Sequence, residues 1–147
     1  MLLIRQPISG LDSYTWYDNN VTYKDVYGAL YNGYVIETEK ICPIGYHVPS
    51  DAEIEILDNN IYRGATLKEE GYEHWDEPNN GATNEYDFTA LPGGKRDYYG
   101  GFIGIRTDGF WWINDGHYFY LRNTTYYLGV SGTLLEEYGL SVRCIKD

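Results

Sequence analysis

The sequence predicts a mixed α+β domain with a small twisted antiparallel sheet, one or two short helices and long ordered loops. The 147 residues suit a single domain, residues 1–147, around one core. Aromatic residues make up 17% of the chain and include 17 tyrosines, a composition that favours strands. Seventeen glycines favour turns and irregular loops between them.

The first third of the chain predicts short strands and turns. The stretch LLIRQ, residues 2–6, predicts a strand, and SYTWYDNNVTY, residues 13–23, predicts a strand that enters a turn at residues 18–20. YGALYNGYVIETE, residues 27–39, fits either a strand or a short helix, because glycines interrupt it twice.

The clearest helix signal follows Pro49. Ser50 and Glu53 have the spacing of a capping box, in which each side chain satisfies a backbone N–H at the start of a helix. Ile54, Leu57 and Ile61 then recur at nearly helical spacing. We therefore expect a helix that begins after Ser50 and ends near residue 60.

Residues 62–96 are polar, glycine-rich and irregular, so we expect a functional loop or one pinned by packing. The final third predicts short strands separated by glycine, aspartate and asparagine. These strands lie in GGFIGIR (100–106), GFWWIN (109–114), HYFYLR (117–122), TYYLGV (125–130) and GLSVRCIKD (139–147). In HYFYLR, alternation places Tyr118 and Tyr120 on one face, and Phe119 and Leu121 on the other.

The net charge of −11 and the pI of about 4.5 exclude whole classes of partner. A nucleic-acid-binding domain needs a basic face, and an anionic membrane repels an acidic domain. No apolar run reaches transmembrane length, so no direct membrane insertion is expected. The first ten residues are too short for a signal peptide, and we expect the chain to be the C-terminal module of a longer protein.

The two cysteines, Cys42 and Cys144, have no spacing typical of a zinc site. They are either two buried thiols or one disulfide. The composition of the chain is that of an extracellular protein, which favours the disulfide.

Several motifs occur together in a fixed order along the chain. They are YGALYNGYV, ICPIGYHVPSDAE, GATNEYDFTALPGGKRD, GGFIGI, GFWW and GLSVRCIKD. From Tyr14 to Asp147 the chain resembles the Fibrobacter succinogenes major paralogous domain. That family is a branch of the C-type-lectin-like fold, close to the formylglycine-generating enzymes and related to the variable proteins of diversity-generating retroelements.

The resemblance implies a C-type-lectin-like fold with an exposed face built by the C-terminal half. It also implies an exported protein of a bacterial surface or of a phage virion. The cysteines lie where the family would have a structural bridge. The copper chemistry of the formylglycine-generating enzymes therefore does not carry over, and no cofactor is expected.

A calcium site is a second interpretation, because Glu77, Asn79, Asn114 and Asp115 lie in Glu-Pro-Asn and Trp-x-Asn-Asp patterns of the kind that calcium-dependent lectins use. Calcium takes six to eight oxygens. However, 35 positions separate Asn79 from Asn114, and Ile113 interrupts the second pattern. We therefore expect residues 77–81 to form a turn and predict no metal site.

No catalytic arrangement is evident. The three histidines are scattered, and neither a GxSxG motif nor a phosphate-binding loop occurs. The chain is therefore predicted not to be an enzyme.

The aromatic run of the C-terminal half is typical of binding surfaces. Tyrosine and tryptophan give large contact areas at small entropic cost, and short polar residues adapt their hydrogen bonds around them. Phe110, Trp111, Phe119 and Leu121 are expected in the core. The residues predicted for exposed ligand recognition are Trp112, Asn114, Asp115, His117, Tyr118, Tyr120, Arg122 and Asn123.

Three functions are compatible with these features. The first is a ligand-recognition module of a bacterial surface protein or a phage receptor-binding tip, which binds a cell-surface protein or glycan and is diversified by a retroelement. The second is a calcium-dependent lectin, and the third is a structural module of a larger adhesin or assembly. The domain is expected to form a homo-oligomer or to be attached to a larger surface or tail assembly. A reverse-transcriptase gene beside a template repeat that differs at adenines would identify diversification.

Overall fold

The computed structural model describes residues 1–3, 14–134 and 136–147. Their strands are β1 (Leu2–Leu3), β2 (Tyr14–Thr15), β3 (Leu30–Asn32), β4 (Tyr46–His47), β5 (Gly93–Arg96), β6 (Phe102–Ile105), β7 (Asp108–Trp112), β8 (Tyr118–Arg122), β9 (Gly129–Ser131), β10 (Gly139–Leu140) and β11 (Arg143–Lys146). Their α-helices are α1 (Lys24–Tyr27), α2 (Gly33–Glu37) and α3 (Asp51–Asn60). Short 3-10 helices span Tyr17–Asn19, Val21–Tyr23, Gly64–Leu67 and Asn114–Gly116. The predicted mixed α+β class is confirmed.

The described strands form two sheets. The smaller sheet has the order β1-β11-β4, and the larger has the order β2-β3-β10-β5-β7-β8-β9, with β6 paired to β5. Residues 27–39 contain both predicted alternatives, since strand β3 leads directly into helix α2. Of the predicted strand at residues 2–6, Leu2 and Leu3 pair with β11, and the rest lies outside the described residues.

One strand pair departs from the antiparallel prediction. Strands β5 and β7 are parallel, with Gly94 opposite Gly109, whereas the other pairs of named strands are antiparallel. The reason is that the chain reverses between β5 and β6 and reverses again at Arg106, whose φ is 68°. Two reversals return β7 to the direction of β5.

The β7–β8 hairpin separates two hydrophobic cores, because successive side chains of a strand point to opposite faces of the sheet. The first core contains Phe110, Trp112, Tyr31, Leu140 and Cys144. The second core contains Trp111, Phe119, Leu121, Ile54 and Trp75. Phe110, Trp111, Phe119 and Leu121 are all buried, which confirms the predicted core residues.

Helix α3 forms as its sequence predicts. The backbone N–H of Glu53 donates to Ser50 Oγ over 3.3 Å, and the backbone N–H of Ser50 donates to Glu53 Oε2 over 2.9 Å. Ile54 is fully buried in the second core, and Leu57 and Ile61 pack against its edge. No described helix is both long and apolar enough to cross a lipid bilayer.

The predicted disulfide between Cys42 and Cys144 is confirmed. It joins the segment after α2 to β11, the central strand of the smaller sheet.

The long irregular segment after α3 is pinned by packing, which is one of the two alternatives that its sequence predicts. Trp75 is completely buried and donates its indole N–H to the carbonyl of Ala90 over 2.9 Å. The guanidinium of Arg143 donates to the carbonyls of Phe88 and Thr89 over 2.6 and 3.0 Å. These bonds hold the segment to buried side chains through its backbone carbonyls.

Lys68 is also buried within this segment, although no sequence pattern predicts its burial. Its side chain is fully buried, and its ammonium donates to the carbonyls of Asn80, Arg122 and Thr125 over 2.9, 2.9 and 3.4 Å. Burial lowers the pKa of Lys68 to about 8. A single buried cation therefore ties the long segment to the end of β8.

Candidate recognition surface

The eight residues predicted for exposed recognition do not form one surface. The structure distributes them among three environments: the core (Trp112, Asn123), the connection between β7 and β8 (Asn114, Asp115, His117) and the face of β8 (Tyr118, Tyr120, Arg122).

The prediction that Trp112 is exposed is wrong. Trp112 is completely buried in the first core, where its indole N–H donates to the carbonyl of Tyr31 over 2.7 Å. Its backbone N–H donates to the carbonyl of Ser141 over 3.0 Å. Trp112 does share a face with Tyr118, its cross-strand partner, but β3 and the segment after β10 cover that end of β7.

The prediction that Asn123 is exposed is also wrong. Asn123 is buried, and its side-chain amide donates to the carbonyls of Asp76 and Glu77 over 3.3 and 3.0 Å. Its own carbonyl accepts from the backbone N–H of Asn80 over 2.7 Å. Asn123 therefore anchors the long segment and leaves no amide group for a ligand.

The connection between β7 and β8 is attached to the start of α3. The backbone N–H of Asn114 donates to the carbonyl of Pro49 over 2.8 Å, and His117 Nδ1 lies 2.7 Å from Asp51 Oδ2. Asp115 is exposed and has a φ of 63°. These three residues are positioned by the turn and the helix, and their role in recognition stays a prediction.

Among the residues predicted for recognition, Tyr118 and Tyr120 lie side by side and pack on a neighbouring ring. Both are half-buried on the face of β8, and their ring centroids lie 6.1 Å apart. The ring of Phe110 lies 6.2 Å from Tyr118 and 6.1 Å from Tyr120. The Tyr120 ring also lies on Gly129, since a Cβ atom there would come within 2.2 Å of Tyr120 Cζ. The absence of a side chain at Gly129 therefore sets the position of this ring.

Two cations flank these rings. The guanidinium of Arg122 lies 4.9 Å from the Tyr120 ring centroid, and its Nε lies 3.2 Å from Asp108 Oδ1. Lys95 Nζ lies 4.6 Å from the Phe110 ring centroid. We call the surface made of Lys95, Tyr118, Tyr120 and Arg122, with the buried ring of Phe110 beneath it, the tyrosine face. It combines apolar ring surface with hydrogen-bond donors held in place by cation–π contacts.

The family model of the Fibrobacter succinogenes major domain matches residues 6–146. The chain belongs to this family. The match confirms the resemblance drawn from the sequence motifs. Neither the curated proteins nor the solved structures gave a match to the chain. The C-type-lectin-like fold therefore stays a prediction, beyond the α+β class and the sheet topology described above.

In this member of the Fibrobacter succinogenes major domain family, the Glu-Pro-Asn stretch forms the predicted turn. Asn79 has a φ of 40°, and its carbonyl accepts from the backbone N–H of Ala82 over 3.3 Å. The Asn79 side chain is buried, and its amide donates to the carbonyls of Glu69 and Gly71. Asn79 thus contributes to the packing of the long segment, whereas Asn114 lies in the turn beside Pro49.

A group of three side chains that the sequence analysis did not single out could hold a cation. One ligand atom each from Glu69, Glu73 and His74 lies within 4.8 Å of the other two. Calcium takes six to eight oxygens, which is more than these groups supply. His74 Nδ1 already lies 2.8 Å from Glu69 Oε1, so a hydrogen bond between the two engages that nitrogen.

The imidazole of His47 lies between two carboxylates. Its Nδ1 is 2.6 Å from Asp147 Oδ1, and its Nε2 is 2.9 Å from Glu53 Oε1. The hydrogen bond with Asp147, followed by the one with Glu53, raises the pKa of His47 above its ordinary value. Burial acts to raise the pKa of Glu53, but hydrogen bonds from Ser50 and His47 lower it overall.

This arrangement predicts that part of the stability depends on pH. The pKa of His47 is raised in the folded state. The stability that His47 contributes is therefore fully present below pH 6.5 and is lost as the pH rises through the pKa of His47 in the folded protein. The contribution of Glu53, whose pKa is lowered, is present above pH 4.5 and is lost as the pH falls through its folded value. We expect the His47 part to stay below about 1 kcal/mol, because exposed ion pairs are screened by solvent.

Urea denaturation at about pH 6 and about pH 8.5 measures this effect. The His47→Gln variant should lack the part of the decline that is due to His47, whereas His117→Gln, which leaves the contacts of His47 in place, should keep it. An identical decline in His47→Gln and the unchanged protein would contradict the assignment.

Proposed function

We propose that this domain is a non-enzymatic recognition module of a bacterial surface protein or a phage receptor-binding tip. Its tyrosine face binds a protein or a glycan on a cell surface without a metal. The retroelement diversification stays a prediction from the family resemblance.

The observation that carries this proposal is that strand pairing and ring contacts fix the side chains of the tyrosine face in place. Phe110, Tyr118 and Tyr120 are cross-strand or same-face neighbours on β7 and β8, and their backbones belong to the centre of the larger sheet. Binding costs less free energy when the contact residues are already fixed in the unbound protein. The rings of Tyr118 and Tyr120, which pack on the buried ring of Phe110 and remain partly exposed, meet this condition.

The polar groups around the rings fit the same function. Asp108 holds Arg122 near the Tyr120 ring, and Lys95 lies over Phe110. Binding surfaces combine aromatic anchors, which supply contact area, with polar groups at the rim, which supply hydrogen bonds. Arginine is favoured in such surfaces because its planar group both stacks on rings and donates several hydrogen bonds.

The disulfide between Cys42 and Cys144 supports the localisation of the domain, because disulfides persist in oxidising environments such as the cell exterior. The net charge of −11 is compatible with a soluble exported domain.

A matched pair of glycine variants tests the tyrosine face. In Gly129→Ala the added methyl group displaces the Tyr120 ring, whereas in Gly132→Ala it meets no atom within 4 Å. We expect Gly129→Ala to weaken binding about tenfold, which corresponds to about 1.4 kcal/mol, and Gly132→Ala to leave it unchanged. Binding is measured with the fluorescently labelled domain on a glycan array and on a panel of whole bacterial cells.

The double variant Tyr118→Ala/Tyr120→Ala extends the same test, with circular dichroism as the check on folding. Tyr99→Ala is its control, because Tyr99 is 91% exposed and lies outside the tyrosine face. If the folded double variant binds as well as the unchanged protein, the tyrosine face is not the recognition surface.

A further inference from the structure

A second group of tyrosines lies where the end of α3 meets the connection between β8 and β9. A shallow, open depression of about 360 Å³ lies there, a volume within the range of small-ligand sites. We call it the tyrosine groove, and it is lined by Asp58, Tyr62, Arg63, Gly64, Tyr126 and Tyr127. It shares no residue with the tyrosine face.

Close backbone contacts hold the walls of the groove together. A Cβ atom at Gly64 would come within 2.0 Å of the backbone nitrogen of Leu128, so only glycine allows these segments to approach so closely. The backbone N–H of Ala65 donates to the carbonyl of Tyr126 over 3.0 Å. The ring of Tyr126 in turn lies against Gly81, where a Cβ atom would come within 2.7 Å of it.

The guanidinium of Arg63 lies between two of the rings. Its Cζ is 5.1 Å from the ring centroid of Tyr62 and 5.3 Å from that of Tyr126. Such contacts orient the guanidinium and leave its N–H groups available for hydrogen bonds in its own plane. Within the described part of the chain, neither Arg63 nor Asp58 forms an ion pair.

The outer rings of the groove are unusually open to solvent. Tyr62 is 76% exposed and Tyr127 is 55% exposed. Large rings that remain exposed while their neighbours are held in place gain free energy when a ligand covers them.

We propose that the tyrosine groove binds a neutral glycan through one pyranose residue. A pyranose has an apolar face of C–H groups, which stacks on a tyrosine ring, and hydroxyl groups at its edge. The carboxylate of Asp58 accepts hydrogen bonds from neighbouring hydroxyls, and the guanidinium of Arg63 donates to their oxygens. Both groups are planar and present two atoms side by side, which suits a pair of adjacent hydroxyls.

The charge and shape of the groove favour a neutral sugar over the other ligands. The groove is lined by one carboxylate, Asp58, and one guanidinium, Arg63, so it has no excess positive charge for an anionic sugar, which the net charge of −11 repels. A protein partner requires roughly 800 Å² of buried surface on each side, with an apolar centre. The groove is small, and no aliphatic side chain lines it.

Two-dimensional ¹H–¹⁵N NMR titration of the whole domain tests this proposal. The probes are methyl glycosides of glucose, galactose and mannose, with methyl glucuronoside as the anionic counterpart. At least one neutral glycoside should shift the amide signals of Arg63, Gly64 and Tyr126 in a saturable way. Tyr62→Ala and Arg63→Gln should each weaken this binding about tenfold, whereas Tyr62→Phe, which keeps the ring, should retain it.

Tyr99→Ala is the matched control, because it removes an exposed tyrosine outside the groove. The proposal is overturned if no neutral glycoside gives saturable shifts up to roughly 50 mM, a limit that includes millimolar affinities. It is also overturned if the glucuronoside alone binds, or if Tyr62→Ala and Arg63→Gln both bind undiminished. The failure of this proposal can be distinguished from that of the tyrosine face. Gly129→Ala disturbs only the tyrosine face, because the atoms nearest its added methyl group belong to Tyr120, which does not line the groove.

Discussion

Replacing Cys42 with serine and Cys144 with alanine is expected to lower the free energy of unfolding by up to about 4.7 kcal/mol through loss of the bridge alone. The bridge joins residues 102 positions apart, so its removal lets the unfolded chain explore many more conformations. Cys144 is also completely buried in the first core, so its replacement removes packing contacts there. Urea denaturation, followed by tryptophan fluorescence, measures the loss.

The unchanged protein in a reducing agent provides the control, because reduction breaks the same bond without altering any residue. It should lose a similar amount of stability, apart from the packing contribution at Cys144. Equal urea midpoints for the oxidised and reduced protein, with reduction verified by thiol titration, would show that the bridge contributes nothing to stability.

Replacing Lys68 with methionine is expected to lower the free energy of unfolding by about 3 kcal/mol at neutral pH. Methionine preserves most of the buried volume but leaves the carbonyls of Asn80, Arg122 and Thr125 without their shared donor. Methionine also removes the free-energy cost of burying an ammonium, which offsets part of this destabilisation.

The pH dependence of Lys68 gives a second, independent measurement. Burial lowers the pKa of Lys68 to about 8. Above that pH, Lys68 is therefore less protonated in the folded state than in the unfolded state. The penalty for the buried charge is therefore complete below about pH 8, and stability should gain from its relief up to about pH 9.5, before tyrosines ionise. Lys68→Met should lack this gain.

Lys40→Met is the matched control for both measurements, since Lys40 is exposed and its replacement should change stability by no more than about 0.5 kcal/mol. A Lys68→Met protein as stable as this control would contradict the structural role of Lys68. A gain above pH 8 that persists in Lys68→Met would contradict its lowered pKa.

Lys68 also lies at the end of the strand that presents the tyrosine face. Its ammonium binds the carbonyl of Arg122, the last residue of the strand that presents Tyr118 and Tyr120. Asn123 holds the opposite side of the same corner through the carbonyls of Asp76 and Glu77. The long segment thus contacts the end of β8 at both Arg122 and Asn123.

Local patterns were sufficient for the elements whose causes are local. Ser50 and Glu53 satisfy each other's backbone groups within one turn, so their spacing alone predicts where α3 begins. The alternation in β8 correctly places Phe119 and Leu121 in a core and leaves Tyr118 and Tyr120 half-buried. The period of a strand is local as well, because it follows from the geometry of the backbone.

The sequence by itself determined the family, the α+β class, the start of α3 and the two faces of β8. Only the tertiary structure decided how deep each residue lies on its face. Trp112 and Tyr118 share a face as cross-strand partners, but β3 and the segment after β10 cover only Trp112. Lys68 and Asn123 are buried because distant carbonyls need their donors, and Tyr62, Arg63 and Tyr126 meet because Gly64 lets two segments touch. How deeply a residue is buried, and which residues meet in a site, depend on residues far apart in the chain. No local sequence pattern predicts either.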